Sequence, residues 1–109
     1  MNNEQNKQLL DALNNCATAC NTCMGACLQE KDVTMVAACI QLDMDCAAIC
    51  TLTASFVARG SVHARHLFKE CAEICNACAT ECEKHAENGM EHCKVCADAC
   101  RACAAACTV

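Results

Sequence analysis

The fold is decided by a cysteine pattern that is clearest near the end of the chain, where residues 92–107 read HCKVCADACRACAAAC. Its cysteines follow one another at alternating steps of three and four residues: they are Cys93, Cys96, Cys100, Cys103 and Cys107. Such steps place side chains along one stripe of an α-helix, the a/d seam that a helix turns toward its partners. This stretch therefore predicts a helix whose buried face is made of thiols.

The same seam recurs in three earlier stretches of the chain. The first contains Cys16, Cys20, Cys23 and Cys27, and the third contains Cys71, Cys75, Cys78 and Cys82. The second contains Cys39, Cys46 and Cys50, with Asp43 at the vacant position of the series. All 16 cysteines thus occupy seam positions. The pattern predicts four helices that meet along a core lined by sulfur.

The ends of the helices are marked by few residues, because the chain has no proline and three glycines. Gly60 followed by Ser61 is typical of a helix stop and the N-cap of the next helix, Gly89 marks another stop, and Asp32 is placed to cap a helix. The predicted helices cover about 3–29, 33–58, 62–87 and 90–107. Short connections between long helices favour antiparallel neighbours. The expected fold class is all-α, a single domain (1–109) forming an antiparallel up-down-up-down four-helix bundle with a cysteine-lined core.

Antiparallel register groups the seam positions into four layers along the bundle. The predicted layers are Cys27, Cys39, Cys82 and Cys93; Cys23, Asp43, Cys78 and Cys96; Cys20, Cys46, Cys75 and Cys100; and Cys16, Cys50, Cys71 and Cys103. At a rise of about 1.5 Å per residue they form a column roughly 16 Å long, which Cys107 extends. A single buried cysteine usually acts as a small hydrophobe. A whole core of small, reactive side chains in place of leucine indicates metal binding instead.

Composition points the same way and excludes several classes of protein. Two Phe and no Trp or Tyr leave few large side chains for a conventional core. The net charge of −5 argues against a nucleic-acid partner. The sequence contains no run of 18 or more apolar residues that would predict a membrane span. The first residues lack the features of a secretory signal, so a chain intact from its Met is expected in the cytoplasm, where thiols stay reduced.

The choice of metal rests on where the cysteines lie. Soft thiolates select Cu(I), zinc or iron–sulfur clusters, but zinc and iron–sulfur sites commonly take their cysteines from turns and loops. Here the pairs lie within regular helices, with Cβ atoms about 5–6 Å apart at i, i+4, which is too far for a disulfide. Cu(I) accepts two or three bridging sulfur ligands, so multiple copper(I) ions are the predicted cargo. A zinc-binding or thiol-buffering, metallothionein-like protein is the alternative, and an iron–sulfur electron carrier is a second one.

The two ends of the bundle differ in character. One end, here called the mouth, gathers His85, Met90 and His92, whose imidazole and thioether groups suit Cu(I) exchange, with Met35 as a weaker candidate. Copper is predicted to enter there. The opposite end carries a predicted apolar plug: Leu9, Leu10, Leu13, Phe56, Val57, Leu67 and Phe68.

Asp43 either accepts hydrogen bonds from thiols or acts as a weak ligand. No cysteine and histidine pair with an orienting carboxylate stands out, so no enzymatic activity is expected.

The pattern His92-Cys93-x-x-Cys96-x-x-x-Cys100-x-x-Cys103-x-x-x-Cys107, with the four-three-four steps of the other helices, resembles the bacterial copper storage proteins over residues 10–107. The lack of a signal peptide is similar to their cytosolic branch. The resemblance implies a homotetramer of bundles that bind many Cu(I) ions, with His and Met near the open end. A copper chaperone or a low-molecular-weight copper donor is the expected partner. Asp43 departs from the family's column. The outer faces show no obvious interface stripe, so the tetramer rests on the resemblance alone.

Overall fold

The computed structural model describes residues 2–108. Four α-helices follow one another along the chain: α1 (Asn3–Cys27), α2 (Ala37–Ala58), α3 (Arg65–Ala86) and α4 (Glu91–Ala106), with a short 3-10 helix (Val33–Val36) leading into α2. Helices α1 and α3 each pack against α2 and α4, which gives a bundle of 45 × 18 × 18 Å. The predicted all-α, four-helix bundle is confirmed.

Side chains cap the first two helical segments. The Asn2 side chain accepts a hydrogen bond from the Gln5 amide at 2.8 Å, and the Gln5 side chain accepts one from the Asn2 amide at 2.9 Å. This reciprocal capping box satisfies two amide groups that the start of α1 leaves without helical partners. Asp32 accepts a hydrogen bond from the Met35 amide at 3.3 Å. The predicted Asp32 cap is therefore confirmed, although the segment that it caps is the 3-10 helix.

Both predicted glycine stops are confirmed, because Gly60 and Gly89 have φ values of 69° and 90°. After α3, the Met90 amide donates to the His85 carbonyl at 3.2 Å and the Gly89 amide donates to the Ala86 carbonyl at 3.0 Å. These two bonds form a Schellman motif, whose left-handed residue is usually glycine. The motif turns the chain so that Met90 returns toward the last turn of α3, where His85 lies.

The beginning of α3 differs from the prediction. The helix begins at Arg65 rather than at 62, and Ala64, not Ser61, is its N-cap. The Ser61 amide instead donates to the Phe56 carbonyl at 3.0 Å, which completes the Schellman motif at the end of α2. The Ser61 hydroxyl accepts from the His63 amide at 3.1 Å within the connecting turn. Ser61 therefore belongs to the C-terminal cap of α2 and is not the N-cap of α3.

The core follows the seams. Fifteen cysteines are 0% exposed and Cys107 is 4% exposed. At the closed end, Leu9, Leu13 and Val57 are buried and pack against the cysteines. Leu10, Phe56, Leu67 and Phe68 are partly buried there. The thiol column is thus sealed at this end by apolar side chains, as the predicted plug requires.

Helix α2 has an apolar outer face as well as a buried seam. By length and composition alone, the stretch Val33–Ala58, with a mean hydropathy of 1.6, could cross a membrane. Core helices of water-soluble bundles share this property, and the α2 seam packs against α1 and α3. Its outer face leaves Met44 and Leu52 54% and 45% exposed. The expectation that the outer faces show no obvious interface stripe stays a prediction.

Candidate metal centre

Thiols from different helices come into contact throughout the core. The Cys39 and Cys82 sulfurs are 3.4 Å apart, and those of Cys46 and Cys75 are 3.5 Å apart. The Cys20 sulfur lies 3.7 Å from the Cys100 sulfur. Each pair belongs to one predicted layer, so the structure brings together the residues that the seam register groups.

The layers are staggered rather than flat. The Cys16 sulfur lies 3.7 Å from the sulfurs of both Cys46 and Cys100, which belong to the neighbouring predicted layer. Among residues 2–108, seven groups of side chains have their candidate ligand atoms within 4.8 Å of one another. Among them are Cys16, Cys46, Cys50 and Cys75; Cys16, Cys20, Cys46 and Cys100; Cys20, Cys78, Cys96 and Cys100; Cys23, Cys27, Cys39 and Cys93; and Cys50, Cys71, Cys75 and Cys103. Because several cysteines belong to two groups, neighbouring metal ions would share thiolates.

All 16 cysteines are free thiols. Burial raises the pKa of Cys93 to about 11 and raises the pKa of Cys27 as well, because a thiolate loses its water at these positions. The Cys27 and Cys93 thiols are therefore protonated at neutral pH without metal. A metal ion that binds there has to displace protons.

Asp43 takes the position of a thiol in the column and is 0% exposed. Its Oδ1 accepts hydrogen bonds from the Cys78 and Cys96 thiols at 3.2 and 3.3 Å. Burial, with the neighbouring Cys96 and Cys78 adding to it, raises the pKa of Asp43 to about 10. The carboxyl group is therefore neutral at pH 7 in the metal-free protein. Of the two roles that the sequence leaves open, the structure shows the hydrogen-bonding one, and the ligand role stays a prediction.

The three predicted mouth residues lie at the end of the column formed by the Cys23, Cys27, Cys39 and Cys93 group. His92 Nδ1 is 3.4 Å from the Cys23 sulfur and 3.6 Å from the Cys93 sulfur. His85 is 7% exposed, and Met90 packs against the core. Met35, in contrast, is 55% exposed. The structure therefore brings His92 to the thiols and Met90 to the core. It buries His85 near the same end and leaves Met35 on the surface.

Sequence reasoning missed three residues that shape this core. Val36 and Thr53 are 0% exposed and continue the α2 seam three residues before Cys39 and three residues after Cys50. Glu81 Oε2 lies 3.0 Å from His85 Nε2. Continuing the three-four steps beyond the cysteines identifies Val36 and Thr53. The i, i+4 spacing of an acid and a histidine on one helix identifies Glu81.

Comparison with protein families agrees with this geometry. The family model described as copper storage protein matches residues 2–109. The chain belongs to the copper storage protein family. The predicted resemblance is therefore confirmed, and the family's role is storage rather than catalysis.

Solved structures of copper storage proteins have the same fold. The Cu(I)-bound copper storage protein BsCsp3 is 38% identical, with 95% of each chain covered and a TM-score of 0.89. A cytosolic copper storage protein from Streptomyces lividans, with five coppers, is 43% identical, with 96% of this chain and 90% of that chain covered and a TM-score of 0.90. The uncharacterized cysteine-rich protein YhjQ of Bacillus subtilis (strain 168) is 42% identical over 43 residues, which span 39% of this chain and 40% of that relative.

Proposed function

We propose that this chain stores several Cu(I) ions in the cytoplasm on the thiolates of its core. The observation that carries the proposal is the set of overlapping cysteine groups, whose sulfurs lie within 4.8 Å of one another. Cu(I) accepts few sulfur ligands and tolerates shared ones, so such a column can hold ions side by side. Buried thiols offer no open position for a substrate, which favours storage over catalysis.

Charge favours Cu(I) over zinc in this core. Each Cu(I) that displaces one thiol proton leaves the net charge of the core unchanged. A zinc ion held by four thiolates carries two excess negative charges, and an uncompensated buried charge is strongly unfavourable. Among residues 2–108, the buried polar or charged side chains are Asp43, Thr53 and His85, and none of them is a lysine or an arginine. Filling the column with Cu(I) is therefore the electrostatically favourable option.

An anaerobic titration of the reduced protein tests the proposal. Cu(I) is added in competition with a chromophoric chelator, and the ions held per chain are counted. A capacity close to the number of cysteines supports storage on shared thiolates. A plateau at a few ions, together with preferential filling by zinc, contradicts it and favours the metallothionein-like alternative.

We propose that copper enters at the mouth. The side chains there that can accept it from a chaperone or a low-molecular-weight donor are His85, Met90 and His92. Replacing His85 and His92 by alanine should slow Cu(I) transfer and leave the final capacity nearly unchanged. The His63→Ala/His66→Ala variant is the matched control, because both histidines are exposed at the opposite, closed end. Equal transfer rates in the two double variants would exclude the mouth as the route.

The apolar outer face of α2 supports the proposed homotetramer. Met24, Met44 and Leu52 border a groove of about 550 Å³ between α1 and α2, and a second copy of the chain would remove this surface from water. The Met44→Glu/Leu52→Glu variant should shift the mass in light scattering to that of a smaller assembly. Val62→Glu is the control, because Val62 is 77% exposed in the α2–α3 connection. An unchanged mass in the double variant contradicts this interface.

A further inference from the structure

The orientation of His85 is fixed by a neighbour that is not itself a candidate ligand. Glu81 lies one turn earlier on α3, and its Oε2 is 3.0 Å from His85 Nε2. The other carboxylate oxygen of Glu81, Oε1, accepts from Lys84 Nζ at 3.2 Å. Both partners are largely shielded, with side-chain exposures of 17% for Glu81 and 9% for His85. The carboxylate is therefore held between a surface ammonium group and the imidazole.

This contact leaves the two nitrogens of His85 in different situations. Nε2 faces a carboxylate, and an ionised carboxylate can only accept, so the imidazole carries its hydrogen on Nε2. Nδ1 forms no hydrogen bond with residues 2–108. In that range, every polar side-chain atom that is buried from solvent has a hydrogen-bond partner. Nδ1 therefore remains within reach of solvent, with its lone pair free.

We infer that Glu81 is a positioning residue for copper uptake, which holds His85 in the tautomer and orientation that present Nδ1 to an incoming Cu(I) ion. Metal-binding histidines commonly donate their second ring N–H to a carboxylate, which fixes the ring and raises the basicity of the ligating nitrogen. The Schellman motif places Met90 beside the same turn of α3. This inference rests on the proposed function, since it takes the mouth to be the route of copper.

The first arm of the test is kinetic. Glu81→Ala should slow Cu(I) transfer from a chelator complex by about tenfold, the lower end of the effects seen when such carboxylates are removed. Glu81→Gln, whose amide oxygen can still accept from Nε2–H, should restore much of the rate. Glu87→Ala is the control for lost negative charge, because Glu87 is an exposed acid near the same end of α3. A Glu87→Ala rate equal to that of Glu81→Ala would overturn the inference in favour of general electrostatic attraction.

The second arm asks whether Glu81 acts through His85. In a His85→Ala background, Glu81→Ala should have no further effect on the transfer rate, whereas an undiminished effect overturns the inference. If His85→Ala alone leaves the rate unchanged, this inference fails, and the His85→Ala/His92→Ala variant decides whether the proposed role of the mouth fails with it. If His85→Ala slows transfer and Glu81→Ala does not, the inference alone is wrong.

The third arm needs no copper. Nitrogen-15 NMR of the metal-free protein distinguishes the two imidazole tautomers, and His85 should carry its proton on Nε2. Glu81→Ala should convert this signal to a mixture of tautomers, while far-UV circular dichroism shows an unchanged helix content. An unaltered His85 signal in that variant overturns the inference.

Discussion

The Cys78 thiol donates a hydrogen bond to Asp43 Oδ1 across 3.2 Å, at the one level of the column where α2 supplies a carboxyl group instead of a thiol. The Cys96 thiol donates to the same oxygen at 3.3 Å. One carboxyl oxygen thus orders thiols from α3 and α4. Within residues 2–108 this buried carboxyl group forms no ion pair. This level of the metal-free core is therefore sensitive to pH.

Replacing Asp43 by asparagine should change how stability depends on pH. Folding raises the pKa of Asp43 to about 10, whereas an exposed aspartate titrates near 3.9. Between these values the folded state holds a proton that the unfolded state lacks, so the free energy of unfolding falls as pH rises, by up to about 1.4 kcal/mol per pH unit. This contribution is fully present below pH ~4 and is lost as pH rises toward ~10.

The comparison is made on the metal-free, reduced protein by urea unfolding between about pH 5 and 8, below the usual titration range of exposed thiols. The stability of Asp43→Asn relative to the native chain should grow steadily with pH over this interval. Asp45→Asn is the control, since Asp45 is exposed on the same helix. Parallel profiles for the native chain and Asp43→Asn would show that the carboxyl group is ionised in the fold.

Copper capacity should depend on where in the column a thiol is removed. The Cys100 sulfur lies within 4.0 Å of those of Cys16, Cys20, Cys46 and Cys96, whereas Cys107 lies at the closed end and is 4% exposed. Serine is nearly isosteric with cysteine but offers a hard oxygen that Cu(I) binds poorly. Cys100→Ser should therefore lower the number of bound ions by more than Cys107→Ser. The count comes from the anaerobic titration, and equal losses would contradict shared thiolates.

The sequence predicts the bundle and its column because one periodicity encodes both. The steps between Cys71 and Cys82 specify a helix and also the face that it buries. Spacing along a helix does not specify which thiols meet across the bundle, so the stagger that places Cys16 against Cys46 requires the helix packing. The role of Ser61 was also beyond local sequence signals, because a serine after glycine can belong to either helix. The Glu81–His85 contact depends on side-chain rotamers, which spacing permits but does not fix.

Loading with Cu(I) should strongly stabilise the fold. The cysteine groups combine residues from several helices, such as Cys16, Cys46 and Cys75, and an unfolded chain cannot present them together. A ligand that binds only the folded state adds about 4 kcal/mol per site when its free concentration is 1,000 times its Kd. Thermal unfolding followed by circular dichroism should therefore shift upward with each equivalent of Cu(I). A transition independent of copper would mean that the ions bind outside the core or bind the unfolded chain equally well.

Glycine substitutions should have opposite effects at Gly25 and Gly89. Gly25 lies inside α1, and a Cβ atom built on it would meet nothing within 4 Å. Gly25→Ala should therefore raise the free energy of unfolding by about 1 kcal/mol through helix propensity. Gly89 has a φ of 90°, a region in which alanine is strained. Gly89→Ala should therefore lower the free energy of unfolding by about 1–2 kcal/mol. Urea unfolding of the metal-free protein measures both, and a destabilising Gly25→Ala would show that another molecule contacts α1 at this point.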